Sequence, residues 1–188
     1  MKIAILGGSF DPPHIGHYLV IKQILEIRKD IDKILLMPAF KHQWKPIQAS
    51  VEDRLAMLQS LVNEKTEISD IELKRQGVSY TVDTVREVKN KTNADIFWIV
   101  GSDILSEFYR WEKTEELLGL ITFLVFPRDP HHLPKKIPVG FEVIRNKDLI
   151  TTSISSTVIR QRVKEEKSIS YLVPKEIEEY ITKHNLYQ

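Results

Sequence analysis

The chain reads as a single α/β domain built on a doubly wound parallel sheet, and three observations point there. Four short runs, Lys2–Leu6, Lys33–Ala39, Asp95–Gly101 and Ile121–Phe126, are apolar nearly throughout, as strands covered on both faces are. Stretches with helical periodicity lie between them. The strand–helix alternation calls for right-handed crossovers around parallel strands. At 188 residues the chain fits one domain spanning 1–188, since domains run to roughly 100–200 residues.

Taken in order, KIAIL is the first strand, and residues 15–29 follow as a helix with Leu19, Ile21, Ile24, Leu25 and Ile27 along its apolar stripe. KILLMPA is the second strand. Ser50 with Asp53 forms a capping-box start for a helix carrying Leu55, Met57, Leu58, Leu61 and Val62. TEISDIELKR (66–75) alternates in part and reads as a further strand, and another helix runs through about 82–91. DIFWIVG and ITFLVF supply the next strands. PRDPHHLPKKIPVG (127–140), with four prolines and no periodicity, is expected to be a surface excursion. Near the end, Pro174 stands at an expected first helical position.

Composition narrows the function. The net charge is +1, from 27 basic and 26 acidic residues, so no global field draws the chain to nucleic acid or to an anionic membrane. Any anion site must be local. With no cysteine, disulfides, thiolate metal sites and a cysteine nucleophile are excluded. No run approaches the roughly 18 apolar residues of a membrane span. The expectation is a cytoplasmic protein that contacts neither nucleic acid nor membrane. Nothing in the sequence decides between a monomer and a homo-oligomer.

Ligands of such sheets sit beyond the carboxyl ends of the strands. There the chain carries GGSFDPPHIGH, Gly7 to His17. Gly7 and Gly8 suit a tight turn and let a phosphate approach backbone amides. The helix beginning near Ile15 turns its positive end to the same spot. His14 and His17 fall on one side of its first turn. Together these make a phosphate cradle, although neither GxGxxG nor GxxxxGK[ST] occurs. The bland alternative is an ordinary turn with surface histidines. A metal site from the His pair has only Asp11 as a nearby carboxylate. At the other end of the chain, Ser155, Ser156 and Thr157 offer caps and hydroxyls at the start of a helix, with Arg160 one turn inside.

His14-Ile15-Gly16-His17 is a HIGH tetrapeptide, and GGSFDPPHIGH is similar to the G-G-[ST]-F-[DN]-P-x-H-x-G-H opening of the nucleotidyltransferase superfamily. The resemblance implies a Rossmann-like fold of the HIGH type that activates a nucleoside triphosphate at its α-phosphate. Gly7, Gly8, Ser9, Phe10 and Gly16 would then lie on ATP. ISSTVIR (154–160) resembles the second signature of bacterial nicotinate mononucleotide adenylyltransferases, and LVPKEIEEYITKHNLY resembles their C-terminal helix. The part from about 153 to 188 would complete the ATP site through Ser155, Ser156, Thr157 and Arg160.

SYTVDT (79–84) is similar to that family's SYTxDT, which implies mononucleotide contacts from Ser79, Thr81 and Asp83, with Thr81 beside the nicotinate ring. GSD (101–103) implies Asp103 near the ATP ribose and the acceptor. Trp111 matches the tryptophan that stacks on the pyridine, a sensible partner for a flat cation. MPAFKHQWKP (37–46) departs from the family's MPxxxPPHK: His42 and Gln43 replace the prolines and Trp44 the histidine. Lys45 keeps the basic position as a phosphate contact, and Lys41 is its substitute.

The implied reaction is adenylyl transfer from ATP to nicotinate mononucleotide, with nicotinamide mononucleotide the alternative acceptor. His14, His17, Arg160 and Lys45 would act on the phosphates without a covalent intermediate. Mg²⁺ is expected on the ATP phosphates, with no protein cage. Pantetheine-phosphate or glycerol-phosphate transfer leaves SYTVDT, Trp111 and the tail unexplained. A class I aminoacyl-tRNA synthetase would need a KMSKS loop. A nucleotide sensor would bind without releasing pyrophosphate.

Overall fold

The computed structural model describes residues 1–131 and 133–188. Among them, β1 (Lys2–Gly8), β2 (Lys33–Pro38), β3 (Thr66–Ile68), β4 (Asp95–Gly101), β5 (Thr122–Phe126) and β6 (Phe141–Val143) form one sheet. Its order is β3-β2-β1-β4-β5-β6, and every pairing is parallel. The chain winds outward from β1 to β3, then crosses back to begin β4 beside β1. The crevice at that reversal lies past the carboxyl ends of β1 and β4. Those ends are Gly7-Gly8 and Gly101.

Apolar side chains fill both faces, as the unbroken runs require. Ile3, Ile5, Trp98 and Phe123 pack on one side against Val82, Val85 and Val88 of α4 (Thr81–Lys91). Ala4, Leu6, Leu36 and Leu124 pack on the other against Ile21 and Ile24 of α1 (Ile15–Ile27). A third cluster joins Met57 of α2 (Val51–Leu58) to Ile159 of α6 (Ser156–Lys164) and to Ile177 and Ile181 of α7 (Lys175–Lys183). The C-terminal helices thus rest on α2. Ser50 caps α2 as expected, accepting from the Asp53 N–H at 3.0 Å.

Several elements differ from expectation. Residues 66–75 hold only the three-residue β3; after Ser69-Asp70 the chain turns into a short helix, α3 (Ile71–Arg75). β6 and α5 (Thr114–Leu120) are additional. β6 is an edge strand with Glu142 at its centre, whose carboxylate takes Arg28 Nη1 at 2.9 Å, so it lacks an apolar run. Pro174 is the N-cap of α7 rather than its first residue, with extended ψ of 149°. The stretch 127–140 includes His132, which lies outside the described residues. The described remainder is a surface excursion as expected, without a buried residue and with only the isolated Arg128–His131 bridge before β6.

Candidate active site

The first loop corrects the reading of its glycines. Gly7 and Gly8 belong to β1, and the left-handed residue is Phe10, with φ of 48°. What Gly7 supplies is room: a Cβ there would lie 2.5 Å from the Trp98 ring. Gly8 is tied in by its carbonyl, which accepts from Ala39 N–H at 2.9 Å. The Ser9 carbonyl takes Arg54 Nη1 at 2.8 Å. Phe10 is buried, its ring centroid 4.9 Å from that of His17.

His14 is the N-cap of α1, in extended conformation. Its backbone N–H donates to His17 Nδ1 at 3.1 Å. In the neutral ring the His17 proton therefore sits on Nε2, leaving one defined donor. The two imidazoles stack, centroids 3.7 Å apart. Burial, followed by the positive Arg128, pushes the His17 pKa down to about 3. Burial lowers His14 well below the ordinary range too, with smaller contributions from His17 and Arg128. Both rings are neutral donors at pH 7. An incoming polyanion would favour their charged forms.

Gly16 is required by this stack, since a Cβ on it would come 2.9 Å from the His14 ring and 3.3 Å from Thr152 Cγ2. Gly16→Ala should therefore displace His14 and lower turnover by about 10-fold or more, because small misplacements of catalytic groups are costly. Steady-state kcat checks this. A circular dichroism spectrum like the wild type's would show that the helix survives.

These rings open on a cavity of about 280 Å³, whose polar wall includes His14, His17, His42, Asp103, Arg128 and Thr152. Gly101 lies in that wall, and a Cβ on it would run into Asp103 Oδ1. His14 Nδ1 and Asp103 Oδ1 are buried without hydrogen-bond partners among the described residues. Buried orphan groups cost about 1–3 kcal/mol each, so a wall carrying two is shaped for a polar ligand. Arg128 was not foreseen. Its Nη1 stands 3.8 Å from Asp103 Oδ2, its Nη2 donates to Ile154 O at 3.1 Å, and its N–H donates to Ser102 Oγ at 3.0 Å. The available signal was its place two residues past β5, at a strand's carboxyl end.

A second cavity, of about 140 Å³, is lined by Ser79, Thr81, Trp111, Trp44 and Glu72. Gly7, His42, Trp98 and Trp111 line both cavities. Trp111 Nε1 is a further buried donor without a partner among the described residues. Ser79 is strapped to the 40s loop: its N–H donates to Lys41 O, and its Oγ accepts from Phe40 N–H, both at 3.0 Å. Burial pushes the Glu72 carboxyl up. Its Oε1 accepts from Thr84 Oγ1 at 2.6 Å, which steadies the start of α4.

Other expected contacts lie elsewhere. Asp83 is in neither wall, and its Oδ1 takes Arg86 Nη1 at 3.1 Å. Lys45 is exposed, facing an open hollow shared with Lys41. Ser155 caps α6 by accepting from Val158 N–H at 3.3 Å. Ser156 Oγ donates to Pro12 O at 2.8 Å. Arg160 Nη1 donates to Asp11 O at 2.6 Å and stands 3.8 Å from Asp11 Oδ2, while its Nη2 reaches Thr157 Oγ1 at 3.5 Å. Arg160 thus braces the first loop and lines neither of these two cavities, its charge being met by Asp11. Among the described residues, no cluster of three or more His, Asp or Glu could hold a metal, and no helix is long and apolar enough to cross a membrane.

Residues 5–162 match the cytidylyltransferase-like family. The chain is 36% identical over 193 residues to a probable nicotinate-nucleotide adenylyltransferase of Opitutus terrae, covering 100% of this chain and 98% of that protein. It is 34% identical over 192 residues to the nicotinate-nucleotide adenylyltransferase of Bacillus subtilis, again covering 100% and 98%. In fold it is similar to Plasmodium falciparum nicotinic acid mononucleotide adenylyltransferase complexed with NaAD, with a TM-score of 0.85, 24% identity, and 99% and 97% of the two chains covered.

Proposed function

Since the chain belongs to the cytidylyltransferase-like family and, within it, to the nicotinate-nucleotide adenylyltransferases of NAD biosynthesis, we propose that its two joined cavities carry out adenylyl transfer from ATP to nicotinate mononucleotide, the triphosphate lying against the imidazoles and the pyridine against Trp111. The observation that carries this is the wall common to both cavities, Gly7, His42, Trp98 and Trp111. One ligand can place its ring in the smaller cavity and its phosphate in the larger.

The mononucleotide phosphate, whose second pKa is about 6, is already mostly a dianion at pH 7 and needs no general base. One of its oxygens attacks the α-phosphorus, the bond to the bridging oxygen breaks, and pyrophosphate leaves. Catalysis then rests on placement and on charge stabilisation. His17, through Nε2–H, and His14 donate to α-phosphate oxygens as charge grows there. Arg128 adds a positive charge at the same wall, and the amides opening α1 add their positive end. Asp103 Oδ1, which has no partner among the described residues, accepts from a ribose hydroxyl. Ser79 and Thr81 line the mononucleotide side.

For the β- and γ-phosphates, Lys45 reaches from its exposed loop, and the start of α6 offers Ser156, Thr157 and Arg160. Arg160 would have to exchange the Asp11 carbonyl for a phosphate oxygen. Asp103 is the one carboxylate among the described residues of the larger wall, which fits a Mg²⁺ ion carried in on ATP and not one caged by protein. When bound, that ion neutralises triphosphate charge. A cytoplasmic setting, where ATP is plentiful, belongs to the same reading.

Incubation with ATP and each mononucleotide in turn should release pyrophosphate, faster with the nicotinate form. Binding of ATP without pyrophosphate release from either mixture would instead make the protein a sensor. Trp111→Ala should raise the mononucleotide KM by about 10-fold, the scale of losing a desolvated cation–π contact, with little change in the KM for ATP. An unchanged mononucleotide KM would remove the stacking role.

A further inference from the structure

The 40s loop places a third imidazole at the seam of the two cavities. His42 lines both of them, a position shared with Gly7, Trp98 and Trp111, none of which brings a charged or hydroxyl group. The loop is held in place on one side by Lys41, whose carbonyl takes Ser79 N–H at 3.0 Å and whose backbone bridges Val78. On the other side, Arg110 lies over the Trp44 ring at 4.8 Å. Within the loop, Trp44 N–H donates to His42 Nδ1 at 3.1 Å, and the two rings meet edge to face at 5.8 Å. With Nδ1 accepting, the proton of the neutral ring is on Nε2. Burial and then the nearby Lys45 lower the His42 pKa, in keeping with a neutral donor.

A mononucleotide with its ring beside Trp111 and its phosphate directed at the α-phosphorus must pass this seam with its phosphate. We propose that His42 is a further substrate-binding residue, donating from Nε2 to the 5′-phosphate of the pyridine mononucleotide and so aiming the attacking oxygen. The inference rests on the adenylyl-transfer reading and assigns the phosphate subsite within it. A neutral donor suits that task. It orients the phosphate dianion without withdrawing as much electron density from the nucleophile as a cation would.

The test separates the two nitrogens. Asn can place an acceptor near the position of Nδ1 and so keep the Trp44 N–H partner, whereas Gln can place an N–H near the position of Nε2. Binding is measured calorimetrically without ATP, using nicotinate mononucleotide and, as the probe without phosphate, nicotinate riboside. His42→Asn and His42→Ala should weaken mononucleotide binding by about 10-fold or more, as loss of a hydrogen bond to a charged group does. His42→Gln should restore most of it, and riboside binding should be alike in all four proteins.

If Asn preserves mononucleotide binding and Gln does not, His42 is only a brace for the loop and the proposal fails. It fails equally if riboside binding falls in parallel with mononucleotide binding, since His42 would then serve the ring. Pyrophosphate release by the wild type is scored separately. A wild type that binds mononucleotide but releases none would overturn adenylyl transfer while leaving the His42 comparison readable. A wild type that binds no mononucleotide would overturn both.

Discussion

His17→Ala is expected to lower kcat by about 10²- to 10³-fold, the loss seen when one preorganised donor to a developing negative charge is removed. Its Nδ1 is committed to His14 N–H at 3.1 Å, so Nε2–H is the group given up. The same substitution frees the His14 amide and removes one half of the ring stack, so the two imidazoles act as a unit and a second substitution at His14 should add less than its own effect. His17→Asn retains an acceptor for that amide and should still be slow. That outcome would assign the loss to the donor and not to loosening of the loop. Near-normal turnover in either variant would take His17 out of the mechanism.

The same residue leaves a signature in stability. Its folded pKa of about 3 lies below the ordinary 6.5. Between those pH values the unfolded chain takes up a proton that the folded ring refuses, so folding stability rises with pH across the window and is lost as pH falls through it. His14 is displaced in the same direction. Melting temperatures between pH 4 and 7 should therefore depend on pH less steeply in His17→Ala than in the wild type.

Asp11→Ala should be the most damaging substitution for stability, by about 3–5 kcal/mol, the scale of stranding a buried charge. Asp11 is 1% exposed. It accepts from Gln48 N–H at 2.8 Å, Ala49 N–H at 3.0 Å and Tyr187 Oη at 2.9 Å. Arg160 stands 3.8 Å away, and Arg54 feels the same charge. Without the carboxylate, two backbone donors, one phenol and two largely buried guanidinium groups lose their common partner. Thermal melting should show a drop of roughly 10 °C, since about 1 kcal/mol moves a chain of this size by about 2–4 °C. Asp11→Asn, which keeps one acceptor oxygen, should fall between. A variant melting within about 2 °C of the wild type would show that this junction contributes little.

The sheet was legible because a strand covered on both faces leaves little room for polar residues, and KIAIL, KILLMP, DIFWIVG and TFLVF obey that. β6 was not, because an edge strand is covered on one side only, and Phe-Glu-Val carries no run to detect. The glycines were found but misassigned: what makes Gly7 necessary is Trp98, 91 residues away in sequence and adjacent only once β4 lies beside β1. The left-handed turn fell to Phe10, a residue type that does not advertise it. Arg128 hid among prolines, since nothing local marks the end of a strand as facing a ligand. Arg160 stood at the expected end of α6, but its partner is set by the fold, and Asp11 claims it.

Tyr187 grips Asp11 across 176 positions of the chain, and Leu172 O holds the Ile15 amide at 3.0 Å. On a ribosome, the HIGH loop thus emerges long before the residue that gives it its final clasp. Until residue 187 has cleared the exit tunnel, a nascent chain can assemble its sheet yet leave the HIGH loop unlatched. A chain cut short ahead of Tyr187 would keep every strand of the sheet yet leave Asp11 without that partner.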